Sequence, residues 1–101
     1  MKVYIDTSSS EEITVGIDGK RYKTSAREEK SQRLLSFLDE LLKKQNKNIK
    51  DIKEIEVNTG PGSFTGLRVG LSVANAIGWA LGIPVNGKDI KKGDTVEITY
   101  E

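Results

Sequence analysis

Neither cysteine nor histidine occurs anywhere in the 101 residues, and each absence removes a class of chemistry. Without cysteine there are no disulfides, no thiolate metal sites and no thiol nucleophile, which suits a reducing compartment. Without histidine no side chain has an unperturbed pKa near neutrality, so a histidine-based triad or zinc centre cannot be assembled within the chain. Long apolar runs are missing too. The opening Met1-Lys2-Val3-Tyr4-Ile5-Asp6 lacks the apolar core of a signal peptide, and no later run is long enough to span a membrane. A cytoplasmic location without membrane contact is the expectation.

What remains is an ordinary globular balance, with 36% hydrophobic and 31% charged residues. A chain of this length is one domain, 1–101, and buries only a modest share of its surface, so a partner could contribute to its stability. The net charge is only +1, but the charges are uneven. From Lys20 to Lys53 there are eleven Lys/Arg against five acids, an excess of +6. This reads first as a solvated helix face with its flanking turns, and second as an electrostatic landing surface for nucleic acid or an acidic protein. With aromatics at only 6%, base stacking gains no support there.

Three short alternating segments open the chain. Lys2 to Asp6, Glu12 to Ile17 and Lys20 to Thr24 read as strands, the last two joined by the Asp18-Gly19 hairpin signal. The period then changes. Ser25-Ala26-Arg27-Glu28 has capping-box spacing, with Ser31 a second candidate cap. Leu34, Leu35, Phe37, Leu38, Leu41 and Leu42 follow within an arc of roughly 160°, a wide apolar helix face. Ile52 to Val57 predicts a fourth strand. After the loop Gly60-Pro61-Gly62-Ser63-Phe64-Thr65-Gly66, a nearly uncharged helix runs to Leu81, where Gly82-Ile83-Pro84 stops it. That helix is apolar on two sides: Leu67, Leu71, Ala74, Gly78 and Leu81 share one, and Val69, Val73, Ala76 and Ala80 another. One side needs the sheet and the other a second helix. The four-residue spacing of Gly70, Ala74 and Gly78 predicts close approach by that second helix. Val85 to Lys92 reads as a polar connection and Thr95 to Tyr100 as a last strand.

Two places could carry chemistry. Glycines between a strand and a helix expose backbone N–H groups at the positive end of a helix dipole, so Gly60, Gly62, Ser63 and Arg68 are candidate anion or nucleotide contacts. The spacing is one residue longer than the dinucleotide fingerprint, however, and the Walker lysine is missing. Shaping the turn is the plainer role for the loop. Asp6 and Thr7, with Ser8, could face a phosphate or hold Mg²⁺ through water, or simply form a polar turn. Ser63 and Thr65 have no base to activate them, so no catalytic residue is assigned.

The order of these segments resembles one family. Ile5-Asp6-Thr7-Ser8, Ser31-Gln32-Arg33-Leu34-Leu35, Gly60 through Arg68, and Gly82-Ile83-Pro84 together look like the bacterial TsaB (YeaZ) family. The resemblance implies an α/β fold, a single RNase H-like lobe of the ASKHA class (actin, heat-shock chaperones, sugar kinases). In that fold a three-stranded meander is followed by α-β-α and here by a short C-terminal strand. It further implies a non-catalytic scaffold subunit in the synthesis of N6-threonylcarbamoyladenosine in tRNA. Such a subunit docks onto a TsaD-like catalytic subunit through the helices matching Arg27–Lys44 and Thr65–Leu81, or onto a second copy through the same surface. A TsaE-like ATPase joins the complex. No cofactor is expected on this chain, ATP and Mg²⁺ entering only with partner subunits, and tRNA is met only indirectly.

The glycoprotease activity that older members are named for is not expected, and no metal ligands are assigned. On this reading Leu34, Leu38, Leu41, Gly70, Ala74, Ile77 and Gly78 are the partner-binding residues. Residues 1–85 carry the resemblance and 86–101 diverge; family members are commonly about twice as long, with a second lobe, and often have His where this chain has Lys30. The alternative in another class is a small nucleotide-binding or ATPase-like domain using the Asp6 turn and the Gly60–Gly66 loop.

Overall fold

The computed structural model describes residues 1–26, 29–94 and 96–98. Alternation builds its first strands. Val3 and Ile5 of β1 (Lys2–Asp6) and Ile13, Val15 and Ile17 of β2 (Glu12–Ile17) all point to one buried face. β2 turns at Asp18-Gly19, both at positive φ (49° and 88°), into β3 (Lys20–Ser25). That is the type I′ geometry the sequence predicts. β4 (Glu54–Val57) adds parallel to β1, pairing Val3 with Ile55 and Ile5 with Val57.

The sheet continues further than expected. Pro84–Val85 (β5) and Lys88–Asp89 (β6) form a short hairpin, giving the order β3-β2-β1-β4-β5-β6. The predicted polar connection therefore contains two strands, turned by Asn86 and Gly87 at φ 49° and 77°. Asn86 also substitutes for a strand neighbour: its side chain accepts from the Val57 N–H at 2.8 Å and donates to the Val57 carbonyl at 3.1 Å. Of the strand expected at Thr95–Tyr100, positions 95, 99 and 100 lie outside the described residues. Residues 96–98 carry no strand, although Val96 and Ile98 are buried.

Both helices lie on the apolar face. α1 (Lys30–Lys44) follows β3, and α2 (Phe64–Leu81) follows β4. The start of α1 differs from expectation. Ser25 is the last residue of β3, Ser31 lies inside the first turn, and the residue before the helix is Glu29, in the left-handed region with no side-chain cap. Glu28 of the expected capping box lies outside the described residues. At the far end Lys43 and Lys44 meet the negative pole of the helix. α2 is capped at both ends: the Ser63 hydroxyl accepts from the Gly66 N–H, and Gly82, at φ 65°, ends the helix by donating to Gly78. No helix among the described residues is long and apolar enough to cross a membrane.

The opposite sheet face is polar and lacks a helix among the described residues. Lys2 lies 3.3 Å from Glu56, and the Arg21 guanidinium stacks 4.3 Å from the centre of the Tyr4 ring.

Candidate functional site

The end of β1 is tied to the start of α2. Thr7 is 1% exposed, and its hydroxyl donates to the Gly66 carbonyl while accepting from the Gly70 N–H at 3.0 Å. A Cβ on Gly66 would run into the Thr7 carbonyl, and one on Gly70 would stand 2.6 Å from the Thr7 hydroxyl. These glycines are what let the helix sit directly on the strand. The glycine loop is latched in turn: Ser63 N–H donates to the Ser8 carbonyl at 3.1 Å, and Gly60 N–H to the Asn58 side chain at 3.1 Å. The Gly60–Pro61 peptide is cis.

Asp6 completes this junction. Its Oδ1 accepts from Ser8 N–H (2.9 Å), the Ser8 hydroxyl (2.6 Å) and the Asn58 amide (3.1 Å). Partial burial pushes its pKa up, but the bonds from Ser8, Asn58 and Tyr4 outweigh that and hold it below the usual carboxylate value. The Tyr4 hydroxyl is raised, first by burial and then by the Asp6 charge.

The candidate anion contacts are therefore only partly brought together. Asp6, Thr7, Gly60, Gly62 and Ser63 do converge. The amides of Gly60, Ser63, Gly66 and Gly70 already have acceptors within the chain, however, and an ionised carboxylate stands among them. That arrangement holds two elements together rather than presenting free donors to a phosphate. Arg68 is exposed on the outer side of α2. Beside the junction lies a recess of about 320 Å³ lined by Lys30, Ser63, Thr65 and Val69 among others; Lys30 reaches the Ser9 carbonyl across it.

The partner-binding expectation needs correction in its residues. Leu34, Leu38, Leu41, Gly70, Ala74, Ile77 and Gly78 are all buried inside this chain. The small-residue stripe meets the sheet, not a second helix: a Cβ on Gly70 would press on Ile5 and Thr7, and one on Gly78 would stand 2.6 Å from Val85. The wheel shows two apolar sides, and the structure turns the Gly70/Ala74/Gly78 side inward. The surface left outside comprises Phe64 (52% exposed), Arg68, Ser72, Ala76, Trp79 (57%) and Ala80, with Leu71 half-buried at its margin. Sequence reasoning left Phe64 within the loop. The helical period alone could not choose between the two sides.

The fold and this junction define the class: an α/β lobe of the RNase H-like, ASKHA type, with a meander continued by parallel strands and helices on its apolar face. Residues 23–87 match the family model described as TsaD: tRNA N6-adenosine threonylcarbamoyltransferase. Among curated relatives, the tRNA threonylcarbamoyladenosine biosynthesis protein TsaB of Bacillus subtilis is 34% identical over 65 residues, 64% of this chain and 28% of that protein. TsaB of Escherichia coli is 32% identical over 59 residues, 58% of this chain and 26% of that protein. The solved structure of YeaZ from Pseudomonas aeruginosa superposes with a TM-score of 0.69 at 26% identity, covering 83% of this chain and 41% of that one. The chain belongs to the threonylcarbamoyltransferase family that the model describes and, within it, to the TsaB (YeaZ) branch. It matches about a quarter of the length of these two curated relatives.

Proposed function

We propose that this chain is a non-catalytic scaffold subunit of a tRNA threonylcarbamoyladenosine-forming complex, docking onto a TsaD-like catalytic subunit through the outer face of α2. The observation that carries the reading is that face itself. Arg68 is the only charged residue among the 18 of α2, yet Phe64 and Trp79 are each more than half exposed. Two exposed large aromatics, with Ala76 and Ala80 beside Trp79, are the composition of an interface core, not of a solvated helix side. The missing histidine and cysteine, and hydroxyls at Ser63 and Thr65 without a nearby base, support the absence of catalysis on this chain. The chain is one family-like lobe on this reading, a TsaE-like ATPase joins only through the complex, and a second copy competes for the same face when the catalytic subunit is absent.

Co-purification of the tagged chain with the TsaD-like subunit of the same organism tests this. Capture that is lost in Trp79→Arg but kept in Lys23→Gln supports the docking face. Capture untouched by Trp79→Arg and by Phe64→Arg would remove it.

A further inference from the structure

Lysines gather at one edge of the molecule that docking does not use. The Asp18-Gly19-Lys20 turn, the last turn of α1 and the connection from 45 to 53 share the edge where β1 begins. Asp18 N–H donates to the Lys2 carbonyl, Lys53 N–H to the Met1 carbonyl, and Lys47 Nζ lies 3.4 Å from Asp18. Lys20, Lys43, Lys44, Lys47, Lys50 and Lys53 lie on these segments, opposed by Asp18, Asp39 and Asp51, with Glu54 next to Lys53.

Several of these charges are already occupied. Asp18 takes Lys47, Asp39 takes Lys43 at 2.9 Å, and Lys44 offsets the negative end of α1. Lys20, Lys50 and Lys53 are exposed and make no ion pair among the described residues. The backbone that carries them is fixed. Asn48 and Asp51 form a reciprocal capping box around Ile49–Asp51, with Asn48 N–H to Asp51 at 2.8 Å and Lys50 N–H to Asn48 at 3.1 Å. Apolar anchoring is slight, with Ile49 the exposed large apolar residue at this edge. A protein interface core or a lipid-inserting face needs more. Apart from the Tyr22 ring, 5.9 Å from Lys20, these are fixed point charges, which suit a regularly charged backbone contacted without reading its bases.

We propose that Lys20, Lys50 and Lys53 form a landing surface for the phosphate backbone of RNA. The proposal rests on the reading that the chain serves a tRNA-modifying assembly, and it adds a direct contact where the sequence suggested only an indirect one. Binding is sequence-independent and driven by counterion release. With about three contacts, raising salt from 50 to 200 mM weakens it roughly 20- to 40-fold.

The test uses a fluorescein-labelled 20-base-pair RNA hairpin titrated with the full chain at 50, 100 and 200 mM salt. Two doubles that remove the same net charge, Lys50→Gln/Lys53→Gln and Arg21→Gln/Lys23→Gln, are compared. The first is expected to lower the slope of log affinity against log salt by about 2 and the second by much less. Equal losses in the two doubles, or no binding at 50 mM, overturn the proposal. Equally tight binding to phosphatidylserine vesicles at the same salt overturns it in favour of a membrane surface. The readout needs no catalytic subunit. Failure of co-purification with an intact RNA shift removes only the docking face, and the reverse result removes only this surface.

Discussion

The hydroxyl of Thr7 bonds both the Gly66 carbonyl and the Gly70 amide, two groups one turn apart on α2. One side chain at the end of β1 thus enters the hydrogen-bond ladder of α2 and fixes where that helix sits. Replacing Thr7 by valine keeps the shape but leaves a buried donor and a buried acceptor facing a methyl group, at a cost of about 2–3 kcal/mol. Thr7→Ser keeps the bridge and gives up one buried methyl, at about 1 kcal/mol. Urea unfolding of both variants decides it, and no loss in Thr7→Val would show that the hydroxyl contributes nothing beyond its bulk.

The glycines on the other side of that contact make a second prediction. Gly70→Ala places a methyl 2.6 Å from the Thr7 hydroxyl, and Gly78→Ala one 2.6 Å from Val85. Helix propensity alone would make both changes stabilising by about 1 kcal/mol. Overpacking against the sheet reverses the sign, with an expected loss of about 1–3 kcal/mol each. A gain in melting temperature for either variant would contradict the close seating of α2 on the sheet.

Much of this frame is legible in the sequence. Val3/Ile5 and Ile13/Val15/Ile17 alternate cleanly, Asp18-Gly19 names its own turn, and Gly82-Ile83-Pro84 marks the end of α2. Asn86-Gly87 carries the same turn chemistry as Asp18-Gly19. It escapes notice because its strands are two residues long, too short to alternate. The orientation of α2 is not legible for another reason. Gly70, Ala74 and Gly78 permit close approach to any neighbour, and a helix period does not say whether that neighbour is a strand of the same chain or another protein. The role of Thr7 depends on a contact across more than sixty positions of sequence, which spacing cannot reveal.

Separating the inner and outer sides of α2 gives the third prediction. Leu38→Arg and Ala74→Arg, at two positions the family resemblance assigns to partner binding, bury an unpaired charge and unfold the chain. Trp79→Ala leaves stability within about 0.5 kcal/mol of wild type, since more than half of the residue is exposed. Trp79 is also the sole tryptophan. Its emission is expected to be that of a solvated indole in the free chain and to shift to the blue when the catalytic subunit binds. A blue-shifted spectrum that is insensitive to dilution and to partner would contradict both its exposure and its place at the interface.

Acid sensitivity supplies the fourth. Asp6 is held below its ordinary pKa because Ser8, Asn58 and Tyr4 donate to the carboxylate. A group lowered in the folded state stabilises the fold above its unfolded pKa, and that contribution fades as pH falls through the folded one. The effect therefore lies below the ordinary aspartate value of 3.8, and stability near neutrality is flat with respect to this group. Asp6→Asn is expected to flatten the loss of stability below about pH 4 in guanidinium melts. An unchanged slope would assign the acid transition to other carboxylates.

The fifth concerns Asn75, half-buried on α2, whose Oδ1 is sealed from solvent and has no hydrogen-bond partner among the described residues. A buried acceptor left unmatched costs about 1–3 kcal/mol, and asparagine is a poorer helix former than alanine. Asn75→Ala is therefore expected to raise the stability of the isolated chain by about 1 kcal/mol or more. Few polar-to-alanine changes in a helix have that sign. Because the oxygen is sealed inside the chain, a docking partner cannot reach it, and capture of the catalytic subunit is expected to be unchanged. Loss of stability in Asn75→Ala would mean that the oxygen is already bonded in solution.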